Sequence, residues 1–384
     1  MISGAASGSK IFVRKLRIKG FRSLVHLDVH LDSLTVLVGF NASGKSNVLD
    51  ALRFVADSLR TSAEQAVSER GGLEALLYHS AAGAAKSFSI ELELGLRLGG
   101  VEGAQVPASY SIEIGPDSSG KLPLLVFAEH WTIGSSHESN LPMGADVPHG
   151  SRLRLPARAA EDPALAVLET TLQAMRFYDL HTGALRRLDE SIVNRSQLGS
   201  TGHHLGQVLG SLAKDDPAGK GRVDSYLSAV IPGALGVDER KEGRYSTVEA
   251  RFQITSNAGI PGSETVEVFP RESLSEGTLR AAGVLAALAQ LPVQDGLIPL
   301  IGIEEPETAL HPANVGALYE ALDDAAQRTQ VIVTTQRGFS NLLSHWGLAR
   351  RGAARNEKEL LVGRRLSRST RTTRSSVCLS TPRA

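Results

Sequence analysis

The sequence predicts an α/β fold with a β-rich N-terminal part and a helical lobe, and three stretches carry that prediction. An apolar run, Leu34–Val38, passes through a glycine-bounded loop into an amphipathic helix with Val48, Leu52, Val55 and Leu59 on one face. Strict alternation through Phe88, Ile90, Leu92 and Leu94 marks a half-buried strand, whereas from Pro163 the apolar spacing lengthens to three and four residues (Leu165, Leu168, Leu172, Met175), the helical period. A second apolar run, residues 298–303, ends in Glu304-Glu305 and reads as a buried core strand.

The 384 residues, 42% of them hydrophobic, suffice for one large α/β domain or two smaller ones. No run approaches the ~18 apolar residues of a membrane span, and the first ten residues lack the apolar core of a signal peptide, so a cytoplasmic protein is expected. The single cysteine, Cys378, excludes an internal disulfide. Formal neutrality conceals an asymmetry: 10 of the 41 Lys/Arg but only 2 of the 41 Asp/Glu lie in residues 350–384. That tail reads as solvated, with non-specific DNA binding as its functional alternative.

Taken in order, residues 11–18 and 24–31 read as strands around the turn Gly20-Phe-Arg-Ser23, and a third strand enters the loop at Gly39. Residues 87–98, 110–114 and 122–133 read as strands of a β-rich block, and residues 134–150 as a surface loop. His130, His137 and His149 fall there without metal-site spacing. Helices are expected at 163–175, 206–212 and 222–230, with breaks at Asp216-Pro217 and Pro232-Gly233, followed by strands at 246–255 and 264–269. A helix follows Ser275, another spans 312–327, and 330–334 is the next core strand.

The chemistry concentrates in three stretches. Gly39-Phe-Asn-Ala-Ser-Gly-Lys-Ser46 matches G-x-x-x-x-G-K-[ST], a loop whose backbone N–H groups and following helix N-terminus converge on phosphate oxygens. Gly39, Asn41, Ala42, Ser43, Gly44, Lys45 and Ser46 form the candidate nucleotide site, with Asn47 and Arg22 beside them. Lys45 would reach the β/γ-phosphates of ATP, and the Ser46 hydroxyl would hold Mg²⁺. In Glu304-Glu305-Pro-Glu307, Glu304 is the candidate to assist the metal and Glu305 the candidate to orient or deprotonate a water aimed at the γ-phosphate. Leu274-Ser-Glu-Gly-Thr278 opens a helix and reads as an anion-receptive cap.

Together these stretches resemble the Walker A, signature, and Walker B plus D-loop motifs of ABC-type ATPases, and among those the RecF/SMC-like AAA-family ATPases. The resemblance covers residues 11 to about 343, because Leu16-Arg-Ile-Lys-Gly-Phe-Arg-Ser23 and Phe177-Tyr-Asp-Leu180 also fit that group. It implies a P-loop NTPase head of ABC type with a mixed central sheet, spanning 11–345 and divided at 11–160, 161–290 and 291–345. Residues 1–10 and 346–384 are expected to lie outside it as disordered ends. It further implies a homodimer closed head to tail around two ATP molecules, with Ser275, Gly277 and Thr278 contacting nucleotide in trans. Gln336 occupies the position where the family usually carries a switch histidine; an amide can hydrogen-bond phosphate or water but cannot accept a proton.

The leading expectation is an ATP-hydrolysing dimerisation switch in DNA maintenance or defence, with DNA and a separate effector protein as partners and no membrane. The alternative is a non-hydrolysing ATP-binding module that docks a partner. An appended nuclease domain has no room in the 79 residues after Glu305, and Glu276-Gly277-Thr278 departs from the Gly-Gly-Gln of transporter signatures.

Overall fold

The computed structural model describes residues 11–81, 83–99, 105–117, 122–135, 137–139, 151–190, 195–255, 264–335 and 361–364. The chain divides into two compact units, 1–175 with 336–384, and 176–335.

In the first unit an antiparallel sheet runs in the order Leu24–His30, Val13–Phe21, Phe88–Arg97, Gln105–Gly115, Leu125–Ile133 and His137–Ser139. Its pleat sorts the residues as the alternation demands. Leu16, Ile18, Ile90, Leu92, Tyr110 and Ile112 are buried, while Arg17 on the other face bridges Asp28 at 3.2 Å, Glu93 at 2.7 Å and Glu91. Phe21, Phe54 and Phe88 meet in tilted and edge-to-face contacts with centroids 5.2–6.2 Å apart, fixing the P-loop helix Lys45–Arg60 on this sheet.

The strand Leu34–Val38 that feeds the P-loop is buried along its whole length and pairs antiparallel with Leu361–Arg364, Val38 opposite Leu361. That pairing departs from the expectation of a wholly disordered tail: Leu360-Leu361-Val362 is an apolar, partly β-branched run within the basic text, and such a run can add to a sheet edge.

Helix Pro163–Gln173, capped by Asp162, packs in the first unit, where Gln173 Nε2 donates to Leu59 O at 2.8 Å and Arg60 Nε to Gln173 O at 2.7 Å. These bonds hold the free carbonyls at two helix ends, so the helix stays with the P-loop helix.

In the second unit, Arg176–Tyr178, Leu300–Glu304 and Gln330–Thr335 form a parallel array, with Phe177 opposite Gly302 and Ile303 opposite Val333. Gln330–Thr335 is buried at every position, as a strand covered on both faces must be. Helices Leu205–Asp215, Pro217–Val230, Glu276–Ala289 and Val315–Ala325 accompany it. Asp216-Pro217, read from sequence as a break, is the cap and first residue of a helix: Asp216 Oδ1 accepts from Gly219 N at 2.9 Å.

A second antiparallel sheet centres on Tyr245–Thr255, which pairs with Ala234–Glu242, Asp189–Glu190 and Glu264–Pro270. The strand Ala234–Glu242 was not expected, because its last five residues are all charged. It is held by a tight turn at Gly243 (φ 62°) and by ion pairs of Asp238 with Lys220 at 2.9 Å and Arg251 at 2.7 Å.

Candidate functional site

The phosphate loop is built by contrast with an ordinary helix start. The helix Lys45–Arg60 has no side-chain cap and no acid in its first turn, so no side chain there competes with an exogenous anion for its positive dipole end. Gly44 stands at φ 92°, and a Cβ there would lie 2.9 Å from Leu24 Cδ2 and 3.0 Å from Ser23 Oγ, so both its conformation and its space call for glycine.

Lys45 is only 5% exposed and donates to Gly39 O and Phe40 O, both at 2.9 Å. Its ammonium is thereby drawn back over the loop, where phosphate oxygens would accept from it. Ser43 Oγ is buried without a hydrogen-bond partner, a second polar atom suited to a ligand. Asn41, Ala42 (φ 62°) and Ser46 lie on the exposed side of the loop. Asn47 Nδ2 donates to Ser23 Oγ at 2.7 Å, tying the helix to the turn after the first strand. These features fit a nucleotide phosphate, with the Ser46 hydroxyl free to face its metal.

Arg22 belongs to the same neighbourhood. It sits at φ 50°, its N donates to Leu76 O at 2.7 Å, and its guanidinium pairs with Asp50 of the P-loop helix at 3.0 Å. Asp50 also receives Arg70 Nε at 2.9 Å, and Arg70 reaches Asp57 at 2.8 Å. A helix carboxylate therefore positions the arginine that the sequence placed beside the nucleotide.

The second unit assembles the acids and the signature. Glu304 ends its strand opposite Thr334. Glu305 follows at φ 41°, its N donating to Thr334 O at 3.1 Å and Thr334 Oγ1 at 3.2 Å, its C=O accepting from Thr308 N at 3.0 Å. A left-handed glutamate between strand and loop carries backbone strain, which these bonds maintain. Two residues on, Glu307 is buried and accepts from Thr335 Oγ1 at 2.5 Å. The adjacent Tyr319 hydroxyl is pushed well above its usual pKa by burial and by the Glu307 charge.

At the signature, Ser275 is exposed and caps helix Glu276–Ala289, accepting from Thr278 N at 3.1 Å. Thr278 is buried, with its hydroxyl 2.8 Å from Ser275 Oγ. Gly277 is buried too, and a Cβ there would lie 2.6 Å from Ala309 O. Gln336 lies outside the described residues. Sequence reading missed Arg280, Thr334 and Glu307 as site residues; the one available signal was an arginine one helical turn into the signature helix.

Two family models and several solved structures match the chain. Residues 12–94 match an AAA ATPase domain family, and residues 239–336 match an AAA domain family whose description names a candidate AbiEii toxin of a type IV TA system. The Pyrococcus furiosus Smc head domain with an extended coiled coil, bound to the C-terminal domain of ScpA, superposes with TM-score 0.51 at 14% identity, covering 86% of this chain and 91% of that one. An Smc head bound to the C-winged-helix domain of ScpA gives 0.49 at 17% identity over 85% and 91%, and the Thermotoga maritima SMC head 0.42 at 15% over 86% and 90%. Among the described residues no helix is long and apolar enough to cross a membrane.

Proposed function

We propose that this chain, a P-loop protein of the RecF/SMC-like AAA type, binds Mg-ATP and hydrolyses it slowly as a dimerisation switch. The observation that carries the reading is the uncapped P-loop helix, with Lys45 buried over the loop at its mouth.

In this reading Lys45 and the loop amides bind the phosphates, Ser46 and Glu304 would hold Mg²⁺, and Glu305 orients or deprotonates the attacking water. Mg²⁺ held there would supply neutralising charge to the phosphates. Gln336, at the switch position, offers an amide where a base would speed turnover, which is why the rate is set low. The signature residues Ser275, Gly277 and Thr278, of which Ser275 is exposed, face the nucleotide of a second copy, so that ATP occupancy closes the homodimer and hydrolysis opens it.

The process served is DNA maintenance or defence against foreign DNA, a reading by analogy with relatives. The matched description that names a toxin–antitoxin system supports the defence branch. A separate effector protein is the expected partner, as the Pyrococcus Smc head has in ScpA. Any DNA contact would be non-specific and salt-sensitive, through the ten Lys/Arg of residues 350–384.

The test is sedimentation of Glu305→Gln with and without Mg-ATP, alongside multiple-turnover phosphate release. Glu305→Gln should bind ATP, remain dimeric in its presence and lose turnover. Hydrolysis by Glu305→Gln at the parent rate would remove the role given to Glu305, and parent turnover no greater than that of Lys45→Ala would leave a non-hydrolysing docking module.

A further inference from the structure

The loop that follows the two acids is held from one side by the signature helix. It runs from Glu305 to Ala309, and both of those residues sit in the left-handed region, at φ 41° and 67°. The signature helix Glu276–Ala289 touches each end. At one end Gly277 meets Ala309, where even a single carbon would stand 2.6 Å from the carbonyl oxygen. At the other end, one turn along, Arg280 donates through one nitrogen to Leu180 O at 2.5 Å and through another to Glu305 O at 3.4 Å. The Arg280 Nε is buried with no hydrogen-bond partner, so the guanidinium is partly desolvated; its bond to Leu180 O is the short one and its reach to Glu305 O the long one. Leu180 ends the segment after the parallel strand Arg176–Tyr178, so one planar fork joins three pieces of chain: that strand end, the signature helix and the carbonyl of Glu305.

We propose that Arg280 is a positioning residue: it fixes the Glu305–Ala309 loop to the signature helix, so that a ligand engaging Ser275 sets the place of the Glu305 carboxylate. Arg280 touches no reacting atom; it acts through the backbone of Glu305. The physical case is that a glutamate at φ 41° keeps that conformation only while its flanking groups are restrained. Thr334 restrains its N–H, and Arg280 with Thr308 restrains its C=O. Losing the helix-borne restraint leaves the carboxylate on a loop free to relax, and a displacement of about 1 Å at a catalytic group is worth on the order of a hundredfold in rate. The consequence for turnover rests on the proposed reading of Glu305 as the hydrolytic carboxylate; the clamp itself does not.

The experiment therefore has two arms on the full-length chain. Hydrogen–deuterium exchange of wild type, Arg280→Lys, Arg280→Ala and Arg186→Ala is followed at 305–309 and at 45–60. Arg186 makes a bond of the same kind to Leu274 O at 2.8 Å, and it serves as the comparator for general loosening of the signature region. Arg280→Ala should speed exchange at 305–309 by on the order of tenfold and leave 45–60 unchanged. Arg280→Lys should fall between, since an ammonium cannot span two carbonyls as a planar fork does. Arg186→Ala should leave 305–309 at the wild-type rate. Unchanged exchange in Arg280→Ala, or equal acceleration in Arg186→Ala, overturns the clamp.

The kinetic arm compares kcat and KM for ATP. Arg280→Ala should lose kcat by tenfold to a hundredfold with KM unchanged, and Arg280→Lys should recover part of it. Loss confined to KM, or none at all in a chain with measurable turnover, overturns the link to Glu305. A wild type that binds ATP without turnover above Lys45→Ala sinks the hydrolytic reading alone, and the exchange arm then decides the clamp.

Discussion

Replacing Gly277 by alanine separates two explanations of a signature glycine. If the glycine serves only a partner's nucleotide, the substitution is harmless in the free chain, and the helix gains slightly from the better helix former. The packing argues otherwise. The added carbon would lie 2.6 Å from Ala309 O, 3.5 Å from Ala309 C and 3.6 Å from Leu310 Cδ2. A backbone carbonyl cannot swing aside as a flexible side chain does, so either helix or loop must shift. Overpacking of this kind costs about 1–3 kcal/mol. For a unit of 160 residues, residues 176–335, a cost of about 2 kcal/mol lowers Tm by roughly 4–8 °C.

The measurement is a thermal melt without nucleotide, at a protein concentration low enough for monomer. Gly221→Ala supplies the opposite sign: it lies inside helix Pro217–Val230 with nothing within 4 Å of the new carbon, so it should stabilise by up to about 1 kcal/mol. A Tm for Gly277→Ala equal to or above that of the wild type refutes the packing argument.

Two other expectations concern buried polar groups. Thr335→Val strips the hydroxyl from the buried Glu307 carboxylate, a hydrogen bond to a charged group, and should destabilise by about 1.5–3 kcal/mol in urea titration; a loss below 0.5 kcal/mol would mean that the bond is not formed in solution. The carboxyl of Glu129 is raised above the ordinary 4.5 by burial, against the lowering effect of donors from Arg154 N, Tyr110 Oη and Leu155 N. Because the folded chain binds that proton more tightly than the unfolded chain, its contribution to stability declines as pH rises from 4.5 through the raised folded value, and is flat above it. Tyr110→Phe removes a donor to the charged form, so its cost, about 1.5–3 kcal/mol where the carboxylate is charged, should shrink as pH falls through the raised folded value. A cost that does not change with pH would show that the tyrosine does not hold the carboxylate.

Residue type and local spacing made much of this molecule legible. The P-loop needs no distant contact to be recognised: the buried strand, the two glycines, the lysine and the helix period are adjacent in sequence. The alternation through Phe88, Ile90, Leu92 and Leu94 announced a half-buried strand over 87–98, observed at Phe88–Arg97, since period two is a property of the chain itself; the companion strand read at 110–114 is longer, Gln105–Gly115. Where local signals conflicted with tertiary demands, the tertiary demands won. Ala234–Glu242 is charged enough to read as loop, yet pairing with Tyr245–Thr255 and the ion pairs of Asp238 hold it extended. Helix Pro163–Gln173 shows its period plainly, but not that its end is bonded to Leu59 and Arg60.

The candidate parts of the site are legible in residue order alone: a cradle at Gly39–Ser46, two acids at the end of a strand, a serine cap on a second helix. These are local chemistries, set by which residues stand within one turn or one loop of each other. How each part is held follows from contacts between segments far apart in the chain. Asp50 fastens Arg22, Thr334 accepts from Glu305 N, Thr335 donates to Glu307, and Arg280 reaches across from the signature helix to a carbonyl 25 residues away in sequence. Such contacts join segments whose separation the chain's periodicity does not encode, because a hydrogen bond depends on where two backbones pass and not on how many residues lie between them.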